Sequence, residues 1–354
     1  MKRKLFLIII VFSMVNLFSE NYISFKYQEK YGYLNDFLEV VINPIYDEAD
    51  EFGNDGYAIV FEEDNEYSLI DKKGQKNEKL SNCYRLKRIF DNVYYNNWEN
   101  YIYNVKKKEF YPFQSPKIAQ FCKEKYLCPV EFYDKNGNQF FCYLDEDGKT
   151  TLIKGKWRNC YPLVENVSVA IDYNYQICLL NAAGNVIADG IQDSAYNFSE
   201  GLLAVKTKTK KGFADTNGNF VFECELYEDP EENYIPSLDY YFSEGVVVIQ
   251  TSENFYQIRD KTGKILMNQR KFAVCGRMSC GKILCKESKN SKYGYINQYG
   301  DYVIAPCFDD AQDFYNDFAI VVYHGKDAML SADGNLYFIE DLLEGKKVPL
   351  KIAD

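Results

Sequence analysis

The stretch Gly276-Arg277-Met278-Ser279-Cys280-Gly281-Lys282 has the glycine and lysine spacing of a phosphate-binding loop. That chemistry also needs a hydroxyl after the lysine, to hold magnesium, and a helix whose first amides face the phosphate. Ile283 occupies the hydroxyl position and no long helical pattern follows, so the spacing carries no nucleotide site. The acidic turns at Asp134 (DKNGN), Asp145 (DEDG) and Asp215 (DTNGN) look superficially like calcium loops. Calcium takes six or more oxygens, and these turns lack both the full acid alternation and a distal glutamate; they read as hairpin turns. Cys275, Cys280 and Cys285 stand five residues apart and could form a disulfide or a soft-metal group. With one histidine in the chain, His324, and no CxxC, a zinc site is not supported. His324 lies in VVYHGKD with no nucleophile motif beside it and reads as a strand-end residue. Carboxylates are too numerous for any pair to stand out as the acid and base of a hydrolase. Trp98, Trp157 and the many tyrosines could stack on sugar rings or fill protein pockets, with core packing claiming most of them. No catalytic residue, cofactor or metal ligand is assigned.

The elements that must carry these side chains follow from composition and period. Tyrosine and phenylalanine are abundant, at 32 and 25 copies, which suits pleated surfaces. An apolar content of 47% excludes disorder. The net charge of −11 repels phosphate backbones, so nucleic acid is excluded as a partner. The densest basic run, KTKTKK at residues 206–211, alternates Lys with Thr as a solvated strand face would. Lys2, Arg3 and Lys4 precede an apolar run at residues 5–15, the layout of a secretory signal. The run is short of the roughly 20 residues that span a bilayer. The expectation is a leader at residues 1–19 and an exported chain at 20–354, periplasmic, surface-bound or secreted, with no stable membrane span. Eleven cysteines cannot all pair, and most sit in apolar strands as small buried hydrophobes.

A hairpin signal recurs, with a short apolar strand, a polar turn ending in glycine and a second strand. It ends at Gly74, Gly137, Gly148, Gly184, Gly218, Gly263, Gly300 and Gly334. Dipeptides such as Asp147-Gly148 and Asn217-Gly218 are strong hairpin signals, the glycine supplying a positive φ. From Gly148 the steps are 36, 34, 45, 37 and 34 residues, and the long one holds an acidic insertion at residues 225–239. YNVKKKEFY near Lys107 fills a missing position without its glycine, a first unit turns at Asn35-Asp36, and Gly137 fits the period poorly. A second signal follows the hairpins at four places, an aromatic, a polar turn and an apolar run. It is read at Phe52, at Phe198 with Gly201, at Phe242 with Gly245 and at Phe314. Nine units of about 37 residues account for residues 20–354. A short helix within residues 337–343 is the single helical expectation.

Two units carry a longer shared pattern. Lys30-Tyr31-Gly32-Tyr33-Leu34 leads to Pro44, Tyr46-Asp47 and Phe52, and Lys292-Tyr293-Gly294-Tyr295-Ile296 leads to Pro306, Phe308-Asp309 and Phe314. Glycine to proline is twelve residues and glycine to phenylalanine twenty in both. These residues resemble the bacterial WG (KWG) repeat, with Lys211-Gly212-Phe213 and FSEGLLAV as a third, partial likeness. Tyrosine replaces the naming tryptophan, and residues 76–130 diverge. The resemblance implies a β-repeat fold, often exported, with no catalytic residues to carry over.

The resulting expectation is an all-β tandem array of three- to four-stranded repeats, either propeller-like or an open solenoid. Its signature positions are structural: Gly32, Pro44, Phe52, Gly148, Gly184, Phe198, Gly201, Gly218, Phe242, Gly245, Gly263, Gly294, Pro306, Phe314 and Gly334. Functionally the array reads as a non-catalytic module that binds a protein, with glycan binding through exposed aromatics as the alternative. A carboxylate-based hydrolase is a minor third reading.

Overall fold

Alternating apolar residues and closely spaced turns build small antiparallel sheets. The computed structural model describes residues 21–62, 66–111, 117–118, 128–133, 137–228 and 237–352, so the leader expected at 1–19 lies outside the described residues. A complete unit has four strands, here named a to d. In the fifth unit these are Asn159–Cys160, Val167–Ile171, Ile177–Asn181 and the first half of Val186–Ser194. The second half of that last strand pairs with Leu203–Thr207 and serves as strand a of the sixth unit. Nine such units succeed one another among the described residues, from Tyr22–Tyr27, the first unit's strand b, to Asn335–Phe338, the ninth unit's strand d. The divergent segment forms an ordinary four-stranded third unit, Leu86–Phe90, Val93–Asn96, Tyr101–Asn104 and Glu109–Phe110. The helix falls at Ile339–Leu343.

The recurrent glycines occupy the turn between strands c and d, but that loop is one residue longer than the dipeptide signal suggests. Asp71 N–H donates to Gln75 O at 3.0 Å and Gly74 N–H to Asp71 O at 2.8 Å, enclosing three residues. Gly74, Gly148, Gly184, Gly218, Gly263 and Gly334 have positive φ, whereas their preceding residues, Asp147 and Asn217 among them, do not. The loop is therefore a type I turn followed by a left-handed glycine, not a two-residue hairpin. The aspartate, asparagine or, at Ser331, serine opening each turn closes it with its own side chain. Asp215 Oδ1, for instance, accepts the N–H groups of Asn217 and Asn219, both at 2.9 Å, as in an Asx turn. Gly137 lies instead in the hairpin between strands b and c of the fourth unit, which is why it breaks the period. The 206–211 run is likewise a hairpin rather than one strand face, and Lys206, Lys210 and Lys211 pair with Glu228 and Glu223.

The twelve-residue interval from glycine to proline is a contact across strands c and d. Tyr31 pairs with Tyr46 and Tyr33 with Ile42, so residues 43–45 bulge opposite Gly32 alone. A Cβ on Gly32 would lie 2.5 Å from Ile42 O and 2.7 Å from the Pro44 nitrogen; at Gly294 the distances to Ile304 O and Pro306 N are 2.8 and 2.9 Å. Proline is tolerated because a bulge has no ladder hydrogen bond to lose. The bulge also bends strand d towards the next unit.

The twenty-residue interval to phenylalanine crosses between units. Tyr33 meets Phe52 edge-on at 4.7 Å and Tyr295 meets Phe314 at 5.0 Å between ring centroids, and across the longer interval that holds the insertion Phe213 meets Phe242 at 5.2 Å. The Tyr33 and Tyr295 hydroxyls donate to Asp50 O and Gln312 O, at 2.8 and 2.7 Å. Every adjacent pair of units shares such an apolar cluster. The series ends where it began: Ile23, Phe25, Leu34 and Leu38 of the first unit pack with Met329, Ile339 and Leu342 of the ninth. Lys347 reaches Glu39 across the same seam at 3.0 Å. The array returns on itself as a propeller-like ring, which resolves the open-solenoid alternative.

Gly294→Ala is expected to lower stability by about 1–3 kcal/mol through backbone overpacking, read as an earlier urea midpoint; an unchanged midpoint would contradict the close approach. Leu342→Ala in the closing seam is expected to cost about 2–5 kcal/mol, whereas Lys347→Ala should cost at most about 1 kcal/mol because its ion pair is exposed. Equal losses from the two would show that packing does not close the ring.

Candidate functional site

Successive strands run in opposite directions, so the a–b and c–d turns share one face of the ring. The b–c loops and d–a passages share the other.

The turn face is occupied by contacts between units. Glu200 and Gly201, Glu244 and Gly245, and Cys280 and Gly281 all have positive φ, which turns their amides outward. Glu165 accepts from Gly201 N–H at 2.8 Å, Glu200 from Gly245 N–H at 3.1 Å, and Glu244 from Cys280 and Gly281 N–H at 2.7 and 2.8 Å. Beside them Ser199, Ser243 and Ser279 donate to the carbonyls of Phe242, Met278 and Phe314, at 2.6, 2.7 and 2.6 Å. The Gly276–Lys282 stretch thus forms a strand and a tight turn into Lys282–Lys286, with its amides facing a carboxylate rather than a phosphate. The Ser-Glu doublet repeated at 199–200 and 243–244 was the sequence signal for this ladder. Phe198, Gly201, Phe242 and Gly245 frame it and serve packing and chain reversal.

The turn face has a hollow at the closing seam, lined by Asp36, Asn316, Asp317 and Asp333, and the loop face holds two clefts lined by aromatic and charged side chains. A cleft of about 710 Å³ lies between the seventh and eighth units. The insertion of the long repeat step builds one of its walls; within that insertion residues 229–236 lie outside the described residues. Leu226 and Leu238 anchor the described ends in the core. Tyr240 donates to Tyr227 O at 2.8 Å, and Ser237 N–H donates to Asp193 at 2.9 Å. Tyr227, Tyr240, Tyr241 and Tyr256 supply the aromatic surface, and Asp239, Glu253, Asp313 and Arg277 the charge. Arg277 pairs with Asp239 at 2.8 Å and stacks 4.6 Å from the Tyr241 ring centroid. Burial pushes the Tyr241 phenol up to about 12. Asp313 reaches solvent at the mouth, yet desolvation by the surrounding walls raises its carboxyl, with Arg277 partly offsetting the shift. Asp239 is thus held directly by the Arg277 guanidinium, and Asp313 feels its charge.

A second cleft of about 460 Å³ occupies the corresponding place between the second and third units, lined by Glu48, Asp50, Tyr67, Arg85, Lys87 and Asn97. Desolvation raises the Asp50 carboxyl, opposed by Arg88 and Lys87.

Among the other sequence candidates, Trp157 is buried and donates to Lys154 O at 2.8 Å. His324 sits in a b–c turn against Tyr323. Cys275 and Cys285 face each other across strands as thiols, and burial raises Cys285 to about 11. Among the described residues no three His, Cys, Asp or Glu side chains gather as a metal site. No described helix is long and apolar enough to cross a membrane.

Three segments, residues 31–65, 179–210 and 293–326, match the family described as the WG containing repeat. The chain carries WG repeats. Each WG match begins in strand c of one unit and ends at or just past strand b of the next, so the family's sequence repeat straddles an interface. The middle match contains FSEGLLAV but stops before Lys211-Gly212-Phe213, one unit earlier than that likeness suggested. No curated protein matches significantly. Among solved structures, this WG-repeat chain is similar to the computationally designed Ika8 protein at 10% identity and a TM-score of 0.44, covering 80% of this chain and 93% of that one. BamB from Moraxella catarrhalis matches at 12% identity and 0.35, over 80% and 79%. The WD40 domain of Toxoplasma gondii coronin matches at 10% and 0.35, over 60% and 67%.

The raised Asp313 carboxyl makes its charged form a native-state cost at neutral pH. Asp313→Asn is therefore expected to raise the melting temperature at pH 7. The gain should shrink as pH falls through the native value and vanish below the ordinary carboxyl value of 3.8. A gain independent of pH would refute the desolvation account.

Proposed function

We propose that this chain is an exported, non-catalytic interaction module whose loop face binds a protein partner through a basic side chain. The observation that carries this reading is the cleft between the seventh and eighth units. Its three carboxylates outnumber its one arginine, and four tyrosines surround them. Aromatic faces and carboxylates together favour a guanidinium or ammonium group. Arg277, stacked on Tyr241 and paired with Asp239, is an internal example of that recognition. The propeller-like ring and the WG repeats are compatible with protein binding, since stacked units present continuous surfaces. Export is proposed from the cationic head and short apolar run at the N-terminus.

The test is affinity capture from an envelope extract with residues 20–354 as bait. The wild type is compared with Tyr256→Ala/Asp313→Asn, after circular dichroism shows both folded. A protein retained by the wild type, weakened by added salt and lost with the variant is the expected result. No retained protein, or equal retention by both baits, would overturn the proposal.

A further inference from the structure

The chain's two tryptophans stand in opposite environments. Trp157 is buried, while Trp98, in the b–c loop of the third unit, is 70% exposed. Holding a large apolar side chain in water forgoes burial energy, and the loop's backbone does not require it. Trp98 N–H is satisfied by Asn96 Oδ1 at 3.1 Å and Asn97 N–H by Arg85 O at 2.9 Å. Nor is Trp98 isolated. The ring of Tyr84, itself 49% exposed, lies 5.1 Å away between centroids with the planes at 56°. The Arg85 guanidinium lies 5.7 Å from the Tyr84 centroid and also lines the cleft between the second and third units. Exposed aromatic faces, that of Trp98 foremost, thereby stand beside a polar hollow lined by the chain neighbours Arg85 and Asn97.

We propose that these aromatic faces and the cleft form a binding site for an uncharged, hexose-based oligosaccharide. A pyranose has an apolar C–H face and a hydroxyl rim. The face fits a flat aromatic surface, and the rim needs donors and acceptors in one small space. The cleft supplies carboxylate acceptors from Glu48 and Asp50 and donors from Arg85, Lys87 and Asn97. Its two carboxylates balance its two cations, so it exerts little net pull on an ion. In this it differs from the cleft between the seventh and eighth units, where negative charge is in excess. The site is therefore separate from the protein-binding surface proposed above.

Because Trp157 is buried, a change of tryptophan emission on ligand addition reports chiefly on Trp98. Residues 20–354 would be titrated with cellohexaose, maltohexaose and chitohexaose, following emission and, in parallel, heat. At least one sugar is expected to shift emission to shorter wavelength and saturate. Trp98→Ala, on an exposed loop, should leave the circular dichroism spectrum intact and weaken the calorimetric affinity at least tenfold. Glu48→Gln/Asp50→Asn should weaken it with Trp98 in place. Tyr256→Ala, in the other cleft, should leave sugar affinity unchanged, which keeps failure of this site distinguishable from failure of the protein-binding reading. Saturation by none of the three sugars, or undiminished affinity in Trp98→Ala, would overturn the proposal.

Discussion

A sheet of three or four short strands has more apolar surface than it can hide by itself. That constraint governs the rest of this molecule. Tyr33 is covered in part by Phe52, and Tyr295 by Phe314, each in the following unit. The same need recurs at every seam, and the last unit meets it by packing on the first through Met329, Ile339 and Leu342. A unit cannot be removed without exposing a neighbour, so stability belongs to the interfaces. The WG matches, each straddling two sheets, place this dependence in the covalent repeat itself.

Once packing is settled, the two faces of the ring have different duties. Tight turns with left-handed residues expose backbone amides, and a carboxylate from the preceding unit accepts them, as Glu244 does from Cys280 and Gly281. Those acids are committed to structure. On the opposite face the loops vary in length and the d–a passages diverge, leaving clefts whose walls come from two units. Binding chemistry falls where the repeat is least regular. The insertion of the seventh unit walls one cleft, and the glycine-poor third unit carries Trp98 beside the other.

The clefts also differ in charge. One is lined by three carboxylates and a single arginine, the other balances two of each sign. At a net charge of −11, a neutral hollow is a local exception that the sequence total hides.

Much of the architecture was legible in the sequence because its causes are local. A left-handed turn position selects glycine, alternation selects strands, and the intervals from Gly32 to Pro44 and Phe52 record one contact within a unit and one between units. Other features were legible only in part. The pairs Asp147-Gly148 and Asn217-Gly218 marked turns correctly, but loop length depends on φ at the preceding residue. KTKTKK looked like a strand face because alternation does not show where a hairpin reverses. Composition named the aromatics and acids without grouping them. Ring closure and the meeting of Arg85 and Lys87 with Glu48 and Asp50 in one cleft were decided by the tertiary structure alone. Both depend on bringing together residues from different units, and their distances are set by how sheets pack rather than by any spacing along the chain.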